Sequence, residues 1–207
     1  MLFRSHHPLQ QPSLVLNLPR FAARLYGGAQ NPYLAKMNLI DTRRFTEAMR
    51  LAATPVCVVT TDGPGGRFGV TVSSMCTASA EPPQVLVCVH LGGPSPAAIR
   101  SNGHFVVNIL DSRHRHVADS FAGRIERWRN DRFACDTWTT LVTGSPALCD
   151  GLITIDCTLT NEMIVSTHAV FVGTVVDLQS REGTPLLYSD RAYRRLENEA
   201  QERMENF

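Results

Sequence analysis

The stretch GVTVSSMCTASAEPP, Gly69 to Pro83, sets Thr71, Ser73, Ser74, Thr77 and Ser79 close together. An ordinary barrel strand alternates polar with apolar residues, because successive side chains point to opposite faces. Here the hydroxyls crowd past the point where a strand would end. A hydroxyl both donates and accepts, so such a run suits a ligand whose edge alternates acceptors and donors. It also suits a polar strand end and turn, and the residues alone leave both readings open.

The other chemically able residues are more isolated. Cys76 follows the serines, but an active thiolate needs a base or a cation that the sequence does not supply. His114 and His116, in DSRHRHVADS, invite a metal reading. Helical positions two apart point away from each other, so the spacing predicts two surface histidines and no metal site. His168 opens THAVFVG. A neutral imidazole there can hydrogen-bond a carboxamide, and its cation can offset negative charge. The same residue fits a strand-end histidine with one local bond. Lys36 is the sole lysine and sits in a poor context, which disfavours Schiff-base and Walker-type chemistry. The sequence carries no C-x-x-C pair, no H-E-x-x-H, no G-x-S-x-G and no G-x-G-x-x-G after a strand.

Strands must position these residues. Asp41 reads as the N-cap of a helix with Phe45, Met49 and Ala52 at helical spacing, ended by Pro55. Strands are predicted over 56–61, 68–74, 84–90, 104–110, 152–161 and 169–178, with a short one at 186–188. Gly63 to Gly66 makes a hairpin turn. Short helices are predicted over 97–100 and 113–121, and a polar one over 196–204. Ala122 to Trp138 reads as a long surface loop, and such loops often carry function. Six or seven strands with few, irregularly placed helices argue against a doubly wound parallel sheet and for an antiparallel barrel.

Lysine plus arginine number 20 and aspartate plus glutamate 19, which gives no basic field for nucleic acid. No apolar run reaches the ~20 residues of a membrane span. The 6 cysteines form no zinc or redox motif, and Cys57 and Cys88 lie in apolar runs where cysteine acts as a small buried hydrophobe. Disulfides are not expected without a secretion signal. Residues 1–36 hold proline, arginine and polar residues but no acidic residue. They read as a disordered extension or as sequence upstream of a start at Met37; a transit peptide could have the same composition. Residues 37–207 read as one domain in a cytoplasmic protein.

GVTVSSMCTASAEPPQVLVCVH closely resembles the cofactor strand of the flavin reductase-like, FMN-binding split-barrel family. FTEAMRLAATPVCVVTT, HFVVNIL, SFAGR, GSPALCDGLITIDCTL, THAVFVGTVVD and PLLYSDRAYRRL resemble its other segments in order, from Phe45 to Leu196. The resemblance implies a mainly β, antiparallel split β-barrel with a few peripheral helices. It implies hydride transfer from NADH or NADPH to FMN or FAD, a homodimer, and reduced flavin passed to a partner monooxygenase.

By the same resemblance, Val70, Thr71 and Val72 lie along the flavin ring, and Ser73 and Ser74 hydrogen-bond it or its side chain. Ser95 and Arg100 hold the phosphate, although GGP replaces a more polar run there. Asn108 lies near the cofactor, and Phe121, Ala122 and Gly123 form the far wall. His168 serves the nicotinamide, and Tyr193, Arg194 and Arg195 close over the pocket. A corrinoid reductase of the cob(II)yrinic acid a,c-diamide type matches these motifs equally well. The same kind of barrel could also carry a non-enzymatic flavin- or haem-binding protein, or a pyridoxamine phosphate oxidase-like enzyme.

Overall fold

The computed structural model describes residues 40–196. The expectations for residues 1–36, for a start at Met37 and for a helix continuing past Leu196 lie outside the described residues. Asp41 caps α1 (Thr42–Met49), its carboxylate accepting from the Arg44 N–H at 3.0 Å. The helix stops at Met49, earlier than expected, and Pro55 instead sits in a two-residue strand, β1 (Thr54–Pro55).

Seven strands form one antiparallel sheet. They are β2 (Cys57–Thr61), β3 (Phe68–Val72), β4 (Met75–Ala80), β5 (Pro83–His90), β6 (His104–Ile109), β9 (Ile153–Val165) and β10 (His168–Ser180), in the order β3-β2-β6-β9-β10-β5-β4. The two ends of that order, β3 and β4, are consecutive in the chain and joined only by Ser73 and Ser74. One long strand therefore bends there and closes the sheet on itself. The Ser74 carbonyl accepts from the Cys88 N–H at 3.0 Å, and Ser74 Oγ donates to the Cys88 carbonyl at 3.1 Å. The expected split barrel is what the chain builds.

Two cores explain the unbroken apolar runs. The barrel interior gathers Cys57, Val59, Val87, Phe105, Val107, Cys157 and Phe171. A second layer, with Val56, Val58, Leu110, Phe121, Phe133 and Leu148, covers the outer side of β2 and β6. All five residues of β2 are buried, so this strand cannot alternate. Burial pushes the Cys57 thiol up to about 12, and it stays a protonated hydrophobe. Cys88 is only half-buried, because it points out of the barrel between Val87 and Val89.

The outer layer carries α2 (Ser95–Asn102), α3 (Arg115–Phe121), the pair β7 (Trp138–Thr140) and β8 (Pro146–Leu148), and the hairpin β11 (Leu187–Ser189) and β12 (Ala192–Arg194). β11 pairs with β1, setting Tyr188 opposite Thr54. Strands β1, β4, β7, β8 and β12 were not expected: two or three residues are too few to show a period, and the hydroxyls of β4 hide its alternation. β4 reads as a polar strand end because it lies at the edge of the sheet order with exposed hydroxyls. No helix among the described residues is long and apolar enough to cross a membrane.

His114 corrects one expectation. Its side chain is 3% exposed, not at the surface, and its Nε2 lies 3.0 Å from Asp150. It precedes α3 as the N-cap residue, so the helical rule for positions two apart does not govern it. His116 bonds Asp136 at 2.8 Å instead. Among the described residues no three such groups meet as a metal site.

Asn108 is also a correction. It is fully buried in β6, where its amide donates to the Val58 carbonyl (3.0 Å) and Thr60 Oγ1 (3.2 Å) and accepts from the Leu148 N–H (2.8 Å). It joins β2, β6 and β8, with its polar atoms taken by these bonds. Asn108→Ala should therefore lower stability by about 2–4 kcal/mol, because two buried backbone groups lose partners at roughly 1–3 kcal/mol each. Urea denaturation measures this, and a loss below about 0.5 kcal/mol would reject the structural role.

Candidate functional site

β3 floors a trough on the outer side of the barrel. Two cavities follow one another along it. The first, about 380 Å³, is lined by Arg67, Phe68, Gly69 and Val70 with Ser95, Phe121, Arg129, Arg132 and their neighbours. The second, about 170 Å³, is lined by Val56, Thr71, Val72, Ser73, Ala122, Arg124, Tyr188 and Tyr193. Both open to the surface, and the first is of the size usual for small-molecule pockets, roughly 300–1,000 Å³.

Local packing sets the floor. Gly69 has no side chain, and a Cβ there would stand 2.5 Å from the Phe121 ring. Glycine thus lets α3 lie directly on β3. Thr71 Oγ1 donates to the Ala118 carbonyl at 2.7 Å, adding a polar tie at the next turn. Phe121, Phe133 and Trp138 meet edge to face with centroids 5.0–5.4 Å apart. That cluster anchors the loop after α3, and the Trp138 indole N–H donates to the Phe133 carbonyl at 2.9 Å. The long loop expected from the sequence is therefore an ordered wall.

The first cavity is cationic. Arg132 donates to the Phe121 carbonyl at 3.1 Å, and the Arg67 guanidinium lies 4.0 Å over the Phe133 ring. Ser95, the first residue of α2 and 4% exposed, lines the same cavity. The free N–H groups of a helix's first turn suit an anion. Arg100 does not line it. It lies further along α2 and forms a two-point ion pair with Glu162 on β9, Nε to Oε2 at 2.8 Å, with a second contact from NH2 to Oε1. The expected phosphate role of Arg100 is thus corrected: its Nε and NH2 are taken by Glu162, while Arg67, Arg129 and Arg132 line the first cavity. Nothing in the sequence marked those three arginines apart from the irregular loop that bears two of them.

The second cavity is walled by the C-terminal hairpin. Tyr193 donates to Asp119 Oδ1 at 2.8 Å, and Tyr188 and Tyr193 meet edge to face at 5.5 Å. Burial, then the bond to Asp119, pushes the Tyr193 hydroxyl up to about 12, so it remains a donor. Asp119 also receives Arg124 at 3.1 Å, and Arg115 lies 3.6 Å away. The neighbouring Tyr188 hydroxyl and Asp119 hold Arg124 firmly protonated. Ser73 is exposed at the cavity edge, whereas Ser74 has spent its proton on Cys88. Gly123 takes a left-handed φ of 73° at the end of α3. Arg194 is exposed and, with Arg195, lines neither cavity.

His168 lines neither cavity. It is the first residue of β10, opposite His90 on β5, with ring centroids 5.1 Å apart. Its Nδ1 is 2.9 Å from Thr167 Oγ1. His90 Nδ1 accepts from the Gly92 N–H at 3.0 Å, and Gly93 lines the first cavity. Sequence reasoning missed His90, since only register puts the two imidazoles together. Ser74 and His168 contact opposite sides of β5, roughly two strand spacings (~10 Å) apart.

Comparison with known proteins agrees with this geometry. The family described as "Flavin reductase like domain" matches residues 49–197. An FMN reductase (NADH) RutF 1 of Methylorubrum extorquens is 41% identical over 158 residues, covering 76% of this chain and 78% of that protein. The structure of flavin reductase PheA2 in its native state superposes with a TM-score of 0.71 at 31% identity, covering 77% of this chain and 100% of that one. BorF, the flavin reductase component of a bacterial two-component tryptophan halogenase, superposes with a TM-score of 0.68 at 28% identity, covering 76% and 99%. By fold and by sequence, this chain belongs to the flavin reductase-like domain family.

Proposed function

We propose that this chain is an NADH-dependent flavin reductase that seats a flavin, FMN first among them, along β3. The observation that carries this reading is the polarity of the trough. Arginines and a helix start mark one end. Hydroxyls, backbone and tyrosines mark the other. A flavin nucleotide has the same polarity, with an anionic phosphate at one end and a flat ring of alternating donors and acceptors at the other. The names of the relatives, FMN reductase (NADH), support the choice of flavin and reductant.

In this reading Ser95, Arg129 and Arg132 hold the phosphate. Val70, Thr71 and Val72 lie along the ring through their backbone, and Ser73 bonds its edge. Phe121, Ala122 and Gly123 bound the far side, and Tyr193 closes over it. When bound, the flavin supplies N5 as the hydride acceptor. The chain need only hold nicotinamide C4 about 3–3.5 Å from that atom, so no nucleophile or general base is required. His168 orients the nicotinamide, steadied by His90. The open trough suits release of reduced flavin to a partner oxygenase or halogenase, the setting in which BorF is named.

A homodimer completes the reading. Phe45 and Met49 on α1 are each 52% exposed, and Met163, Ile164 and Val165 near the β9–β10 turn are 42–44% exposed. Such apolar surface is usual where another chain covers it.

Anaerobic titration tests the activity: NADH should bleach an equivalent of FMN, with FAD and a corrinoid as comparison acceptors. Reduction of neither flavin would overturn the reading. His168→Ala should slow flavin reduction about tenfold, equal to ~1.4 kcal/mol of transition-state stabilisation, while flavin affinity holds. Stopped-flow absorbance separates this from loss of flavin, which would place His168 on the cofactor instead. Light scattering should give twice the chain mass, and Phe45→Arg with Met163→Arg should halve it. A fully active monomer of the unmodified chain would reject the dimer.

A further inference from the structure

The second cavity contains one charged side chain that the proposed seating of the flavin does not yet use. Val56, Thr71, Val72, Ser73, Ala122, Tyr188 and Tyr193 present apolar groups, hydroxyls and backbone, and Arg124 alone brings charge. Arg124 is not a stray surface residue. Its NH1 donates to Asp119 Oδ1 at 3.1 Å, and its backbone N–H donates to the Asp119 carbonyl at 2.9 Å. Tyr193 donates to the same Oδ1, and Arg115 approaches Oδ2 while its guanidinium lies 5.0 Å over the Tyr193 ring. One carboxylate thus faces two guanidinium groups and a phenol. The group carries a net positive charge, and Arg124 presents it to the cavity.

Hydride transfer determines what that charge is for. The C4–H bond of the dihydronicotinamide breaks and an N5–H bond forms on the flavin. The nicotinamide loses two electrons and leaves as the cation. The flavin gains two electrons and one proton, so one negative charge stays on the pyrimidine side of its ring until water supplies a second proton. A fixed cation that meets charge only after reduction stabilises product and transition state over the oxidised ring.

Resting on the reading that the ring occupies this cavity, we propose that Arg124 is the residue that receives the negative charge of the reduced flavin. Asp119 and Tyr193 are its positioning residues. The site therefore binds reduced flavin more tightly, relative to oxidised flavin, than an uncharged wall would.

The test uses the full chain and FMN, with affinities for oxidised and anaerobically reduced flavin measured separately. Arg124→Gln should weaken reduced FMN about tenfold more than oxidised FMN, which lowers the midpoint potential of the bound flavin by about 30 mV for a two-electron couple. Arg124→Lys keeps the charge and should restore most of the difference. A purely structural residue would move both affinities alike, and that result, or no change in either, overturns the proposal. Should Arg124→Gln melt early, the Lys variant alone decides, because a bound-flavin midpoint potential that falls by about 30 mV despite the retained charge would reject the role of charge. Ala122→Trp fills the cavity and should abolish binding of both forms. If it leaves both intact, the ring lies elsewhere and the seating itself fails. If it abolishes binding while Arg124→Gln leaves the ratio unchanged, only the role of Arg124 fails.

Discussion

The bond from the Cys88 N–H to the Ser74 carbonyl ties the bend between β3 and β4, the two ends of the sheet order, to the neighbouring strand β5. An unpaired edge exposes a row of backbone donors and acceptors. Here the bend at Ser73 and Ser74 lets one strand serve both edges and close the barrel. The site depends on that bend. It turns β3 outward at the point where its backbone passes under the Tyr188–Tyr193 hairpin, and β3 is the floor of both cavities.

This constraint explains why the serine-rich stretch resisted a single reading in the sequence. A hydroxyl run at a strand end and a hydroxyl run facing a ligand are both present, residue by residue. Ser74 bonds its neighbouring strand, Thr71 bonds α3, and Ser73 is left at the cavity edge. Spacing could not apportion these roles, because each depends on which strand lies alongside.

Much of the architecture was legible. Apolar runs bounded by Gly63–Gly66 and by Pro82 and Pro83 marked β2, β3 and β5, and the Asp41 cap marked α1. Of the short outer strands only β11 was legible, marked by the turn at Gly183 and Pro185, since three residues hold no period. Site residues separated by chemistry. Gly123 lines neither cavity, whereas Val70, Thr71, Val72, Phe121 and Ala122 line one or the other. Asn108 and Arg100 do not, because a buried amide and a paired guanidinium look the same in a sequence as free ones. Arg124 and His90 show the converse. Their partners, Asp119 and His168, lie 5 and 78 positions away, and only the fold says which of them meet.

The Phe121 ring resting on Gly69 makes floor and wall mechanically one piece. β3 can accept almost no added bulk at that point without lifting α3 and the aromatic cluster with it. Room for a larger or smaller ligand is therefore set by the segments that face β3: the loop after α3, the turn into α2 and the β11–β12 hairpin. The floor is shared with the barrel and held still, so variation in ligand choice falls to the walls.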